Sequence, residues 1–160
     1  MAAIDYFLKL DGISGESTDT RHKGEIDVLG FSWGMSRAGS SGSGGGGGAG
    51  KAIFEDLLVV ARTSKASPKL WQACATGQHV KTAVLACRKA GQAQSEFLTI
   101  KLTDVTITSY EIDGSDEELP LDQLALGFAK VETEFVSTDP KGKPQPAVTA
   151  GWDLKKNAKV

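Results

Sequence analysis

The run "GGGGAGKA", Gly45 to Ala52, holds the residues whose types and spacing could most readily do chemistry. It meets every position of the phosphate-loop pattern G-x-x-x-x-G-K-[ST] except the last. Such a loop aims backbone N–H groups and a helix N-terminus at phosphates, while its Ser or Thr hydroxyl holds magnesium. Ala52 has no hydroxyl, so that ligand is missing. The segment behind it, Ile53 to Ala61, fits neither the helical nor the strand period cleanly, whereas a phosphate loop must open into a helix. No apolar strand ends in a lone Asp able to act as a second metal-holding residue. Nucleotide binding is a poor fit. Two readings of the run from Ser40 to Lys51 remain: a low-complexity surface loop, which composition favours, and an arm that orders on a neighbouring subunit, where glycines let backbone approach backbone.

Other chemically able residues are scattered. His22 and His79 fall in loops, with no Cys or His at ligand spacing and no recognisable orienting partner, so no zinc site is expected. Cys74 and Cys87 read as reduced thiols acting as small apolar residues. The acidic stretch Asp113 to Glu118 lacks the length and spacing of a calcium loop and reads as a solvated hairpin connection. Serines are plentiful, but none has a base with its own orienting group. The expectation is no catalytic residue, no metal and no cofactor, hence no enzyme.

The elements that must carry any function are those of one domain, since 160 residues can bury about 70% of the unfolded surface in a single core. Hydrophobic residues make up 40% and charged residues 24%, which argues against wholesale disorder. A net charge of −2 with no basic stripe gives no reason to expect nucleic acid. No run approaches the roughly 18 apolar residues of a membrane span. Asp5 interrupts the N-terminal apolar stretch, so no cleaved leader is expected and export would need another route.

Most of the chain alternates with period two, as strands with one buried face do. Ile4, Tyr6, Leu8 and Leu10 share one side of the first run. In Ile26 to Ser36, the bulky Leu29, Phe31, Trp33 and Met35 form one face, expected to be buried, and Gly30, Ser32, Gly34 and Ser36 the other. The small face suits either a wall that something passes or a strand crossed closely by another backbone. A helix starts at Ser67, taken as N-cap with Pro68 at N1, and ends at Gly77; its apolar stripe pairs Leu70 with Cys74 and Trp71 with Ala75. Strands resume with Ala83, Leu85 and Cys87 and stop at Ala90-Gly91. The apolar phase slips by one residue between Leu102 and Val105, and again between Phe128 and Val131, as a bulge within a long strand would cause. An all-β barrel or sandwich of antiparallel strands with one short helix follows, without the parallel strands that nucleotide-binding folds of this type need.

Four stretches together carry a resemblance: "GEIDVLGFSWGMS" (Gly24 to Ser36), "GGGGGAGK" (Gly44 to Lys51), "SPKLWQACATGQHVKTAVLACRKAG" (Ser67 to Gly91) and "GWDLKKNAKV" (Gly151 to Val160). In order, and over essentially the whole chain, they resemble the haemolysin-coregulated (Hcp) proteins of bacterial type VI secretion. The resemblance implies one β-barrel domain over residues 1–160, similar to phage tail-tube proteins, with a docked helix and an extended glycine-rich loop at about 38–51. It implies homohexameric rings stacked into a tube inside a contractile sheath, tipped by a spike protein and ejected with small effectors. The protein would then be cytoplasmic before firing and secreted without a signal peptide, with no membrane insertion. Under this resemblance Ser32, with Gly30 and Gly34, faces the lumen and its effectors. Gly44, Gly45, Gly46, Gly47, Gly48, Gly50 and Lys51 reach neighbouring subunits, Gly91 lies near the ring-stacking surface, and Ile53 to Ala61 becomes a strand. The chain ends soon after "GWDLKK", so cargo is expected to travel non-covalently. The alternatives are a monomeric ligand-binding barrel and the phosphate-loop protein already weighed.

Overall fold

The computed structural model describes residues 4–37, 51–91 and 95–160. Strands β1 (Ile4–Leu10), β2 (Ile26–Ser32), β5 (Leu57–Arg62), β6 (His79–Lys89), β7 (Glu96–Asp113) and β8 (Leu121–Gly127) pair in the cyclic order β1-β2-β5-β8-β7-β6 and close an antiparallel barrel. Closure removes the free edges along which a sheet recruits stray strands. Every strand pairing among the described residues is antiparallel, which leaves a nucleotide-binding loop no parallel sheet to sit on.

The 18-residue β7 organises the molecule. Its second half pairs with β8 to close the barrel, while its first half pairs, on the same edge, with β9 (Lys130–Phe135). From β9 the sheet continues as a wing through β10 (Val148–Asp153) and β11 (Ala158–Lys159). The change of partner coincides with the expected phase slip: Ile100 and Leu102 are buried, then Val105 and Ile107, with Asp104 between them at φ 53°. The second slip has a different origin. Leu124 and Val131 lie on two strands, β8 and β9, parted at Phe128-Ala129, rather than on one bulged strand.

Inside the barrel Leu8, Leu57, Leu85, Leu102, Leu124 and Leu126 are fully buried, each side chain contributing about 1.5–3 kcal/mol. The helix α1 (Ser67–Thr76) packs across β7 through Leu70 and Ala73. Gly77 ends it at φ 69°, where the Gln78 and Gly77 N–H groups donate to the Ala73 and Cys74 carbonyls. Two expectations about this helix are corrected. The N-cap is Ala66, and Ser67 is already helical, with its hydroxyl turned inward. Trp71 is 53% exposed, because the buried stripe runs through Ser67, Leu70 and Ala73, one helical step away.

The strand expected over Ile26–Ser36 is also broken. A bulge at Leu29 shifts the register between Val28 and Gly30, and the chain bends at Trp33-Gly34 before β3 (Met35–Arg37). Leu29 and Met35 are therefore exposed, and only Phe31 and Trp33 of that face pack against the core. Ile53–Ala61 is likewise two strands, β4 (Ala52–Phe54) and β5, separated at Glu55-Asp56. The β3–β4 ribbon is anchored by aromatic rings. Trp33 stacks on Phe54 at 6.4 Å, Phe54 on Trp152 at 6.3 Å, and the Trp33 indole N–H donates to the Glu55 carbonyl at 3.0 Å.

Candidate functional site

Alternation along β2, β5, β8 and β7 turns one residue in two away from the barrel interior, and the register aligns these residues into ladders. One ladder runs Ser32, Leu58, Ala125, Ser109; the next runs Gly30, Val60, Gln123, Glu111. Together they form a shallow outer groove of about 430 Å³. Small, hydroxylated and aliphatic residues line most of it, joined by the Phe31 ring, the Gln123 amide and one carboxylate, Glu111, at its β7 end. A Cβ built on Gly30 meets nothing within 4 Å among the described residues, so no described segment of this chain crosses closely there. The next ladder outward is charged at both ends, with Arg62 and Asp113 flanking Leu121. Gln123 turns along the sheet to donate to Asp113 at 3.0 Å.

Of the residues singled out in the sequence, the fold brings Gly30 and Ser32 together in this groove. Gly34 lies outside the groove lining, at the bend between β2 and β3, next to the Glu55 side chain. Lys51 is exposed just before β4, and Gly91 is exposed just beyond β6 at φ 121°. Gly44, Gly45, Gly46, Gly47, Gly48 and Gly50 fall outside the described residues. Leu58, Val60, Ser109, Glu111 and Gln123 were not anticipated. β5, apolar on both faces, gave no signal for Leu58 and Val60, and the alternation of β7 and β8 names a face only once the register is known.

Two buried polar clusters were also missed. Asp122 on β8 is 1% exposed and accepts from Thr63 Oγ1 at 2.9 Å, Tyr110 Oη at 2.8 Å and the Ser67 hydroxyl. Burial, then the Asp122 carboxylate, pushes the Tyr110 phenol up to about 12. On the far side of the barrel the loop 11–25 covers β1, β6 and β7. There Arg88, 3% exposed, donates to Asp19 at 3.0 and 2.5 Å and to Asp5 at 3.2 Å, and lies 4.9 Å over the Phe7 ring. That fork holds the Asp19 carboxyl at about 2. His22, expected to lack a partner, is buried between two glutamates, Glu25 and Glu96. His79 is the first residue of β6 rather than a loop residue. Cys74 and Cys87 are free thiols, and burial raises Cys87 to about 11.

A closed antiparallel barrel with a docked helix and a three-strand wing defines a β-barrel protein. The family model described as "Type VI secretion system effector, Hcp" matches residues 7–135. The chain is 41% identical to Protein hcp1 of Pseudomonas aeruginosa over 161 aligned residues, 99% of either chain. Among solved structures it is similar to Hcp1 from Salmonella typhimurium, with 33% identity, full coverage of both chains and a TM-score of 0.82. A structure described as a type six secretion system protein matches at 34% identity and a TM-score of 0.93, over 99% of this chain and 100% of that one. This protein belongs to the Hcp family, the secreted tube proteins of type VI secretion. No helix among the described residues is long and apolar enough to cross a membrane.

Proposed function

We propose that the chain is one domain that closes into homohexameric rings, which stack into the inner tube of a contractile apparatus. The carrying observation is the pair of ladders on β2, β5, β8 and β7. The β2 end of that face carries only the small Gly30 and Ser32, which suits the wall of a channel, and these are its cargo-facing residues. Closed rings need heterologous contacts, one face of each subunit meeting a different face of the next. The β3–β4 ribbon, held by the Trp33–Phe54–Trp152 stack, is a firm root for an arm, and this supports assigning Gly44–Gly48, Gly50 and Lys51 to the neighbouring subunit. Gly91, at the exposed end of β6, is assigned to ring stacking.

In this reading the protein waits in the cytoplasm, is driven out by sheath contraction behind a spike protein, and carries small effectors. Its work is mechanical, with no bond made or broken. Negative-stain microscopy of the purified protein tests it: rings with a central channel are expected, and a single-subunit particle at high concentration would overturn the proposal in favour of a monomeric ligand-binding barrel.

A further inference from the structure

His22 occupies a position that the tube reading does not use. Its ring is buried, stacked on Phe7 at 4.3 Å and 6°, and each ring nitrogen faces a carboxylate: Nδ1 lies 2.9 Å from Glu25 and Nε2 lies 2.7 Å from Glu96. Ionised carboxylates only accept hydrogen bonds, and a neutral imidazole has one N–H and one lone pair. Both contacts are satisfied together only when both ring nitrogens carry protons.

We propose that His22 is a proton-operated clamp that fastens the loop 11–25 to the first residue of β7 when charged and releases Glu96 when neutral. The choice of Glu96 follows from solvent: its side chain is 40% exposed against 13% for Glu25, so freeing it into water costs less. Glu25 then keeps the single remaining N–H.

Among the described residues, other charged groups also fasten the loop. From β6 comes Arg88, from β1 Asp5, and from the loop Asp19; both terminal nitrogens of the Arg88 fork donate to these carboxylates, while its buried Nε has no hydrogen-bond partner among the described residues. The Asp19–Arg88 fork therefore holds the tip of the loop across the range in which imidazoles titrate, about pH 5 to 8. A charged ring fills both contacts and a neutral ring fills one, so the full fastening is expected at the acid end of that range and not at the alkaline end.

Hydrogen exchange on the full chain, corrected for the intrinsic pH dependence of exchange, tests this. The reporting amides are Gly15, Ser17, Gly24 and Glu25, which donate to Gly24, Glu25, Ser17 and His22 carbonyls within the loop. Their protection is expected to fall about ten-fold between about pH 5 and pH 8, the scale of one hydrogen bond to a charged group. Barrel amides such as Leu8 and Leu85 should not follow. In Glu96→Gln the amide donates to the neutral Nε2, so the loop should stay protected at both ends of the range. In His22→Gln protection should be low and independent of pH. Unchanged protection in the unmodified chain, a fall shared with the barrel amides, or a Glu96→Gln chain that keeps the original pH dependence would each overturn the clamp.

Discussion

Ser67 and Asp122 meet where α1 begins: the serine hydroxyl, in the helix's first turn, donates to a carboxylate on β8 that has almost no contact with water. Thr63 and Tyr110 complete the set, so one carboxylate joins the β5–α1 connection, the helix, β7 and β8. Asp122→Ala would leave three hydroxyls without their acceptor. A loss of about 3 kcal/mol or more is expected in urea unfolding, with Ser67→Ala losing about 1–3 kcal/mol. Equal stability of Asp122→Ala and the parent chain would refute a structural role for the cluster.

The same cluster sets an alkaline limit. Tyr110 titrates at about 12 in the fold against an ordinary 10.0, and Cys87 at about 11 against 9.0. A proton held more tightly in the folded state than in the unfolded one adds stability below the unfolded value, and that stability drains as pH climbs to the folded value. Stability should therefore decline from about pH 9 to about pH 12. Tyr110→Phe should flatten the upper part of that decline in denaturant titrations at stepped pH, and an unaltered alkaline limb would contradict the assignment.

Acid acts through Asp19, with the opposite sign. Its folded value near 2 lies below the ordinary 3.8, so its contribution is complete above 3.8 and disappears as pH falls towards 2. Asp27, raised first by burial and then by Asp5, partly offsets this. Asp19→Asn should be less stable than the parent chain at neutral pH and should converge with it in acid. Arg88→Lys, which loses the two-pronged donor, should behave similarly. Two curves that stay parallel down to acid pH would mean that the fork contributes nothing.

Close approach makes Gly15 the most vulnerable glycine described. A Cβ there would sit 2.5 Å from the Glu25 carbonyl oxygen and 2.7 Å from the Ile26 Cα, both backbone atoms that cannot swing aside. Gly15→Ala should lower stability by about 2 kcal/mol or more in thermal or urea unfolding. Gly30→Ala, with open space around the new methyl, is the matched control and should be nearly neutral.

What was legible in the sequence was local. Gly77 stops the helix through its own dihedral angles, the acidic Asp113–Glu118 stretch joins β7 to β8, and the one-residue slip before Val105 marks a real change of strand partner. What was not legible depends on residues far apart in the chain. His22 and Glu96 are 74 positions apart, Arg88 and Asp19 are 69, and Ser67 and Asp122 are 55, so nothing in their immediate sequence marks them as partners. Ser67 looked like a cap because caps and buried hydroxyls use the same residue type. The Leu29 bulge left a trace in the sequence, since Ile26 and Val28 hold one apolar phase and Phe31 and Trp33 the other, but the regular alternation from Leu29 to Ser36 hid it, and the β2–β5 register exposes the shift.

Ser32 offers the sharpest test of the proposed channel wall. It is exposed, its Cα is paired with Leu58 across the ladder, and it borders the smooth groove. Ser32→Gln adds length without charge, so the fold should stay within about 0.5 kcal/mol of the parent, as surface changes usually do. Rings should still form, because the substitution lies on the proposed inner face rather than between subunits. Retention of co-purified effector should drop several-fold, since each closed ring would carry six intruding amides at equivalent positions. A control at Lys69→Gln, exposed on α1 away from the groove, should leave effector levels unchanged. Intact rings that keep their full cargo in Ser32→Gln would remove Ser32 from the cargo surface while leaving the tube standing, whereas loss of the rings themselves would place this face between subunits.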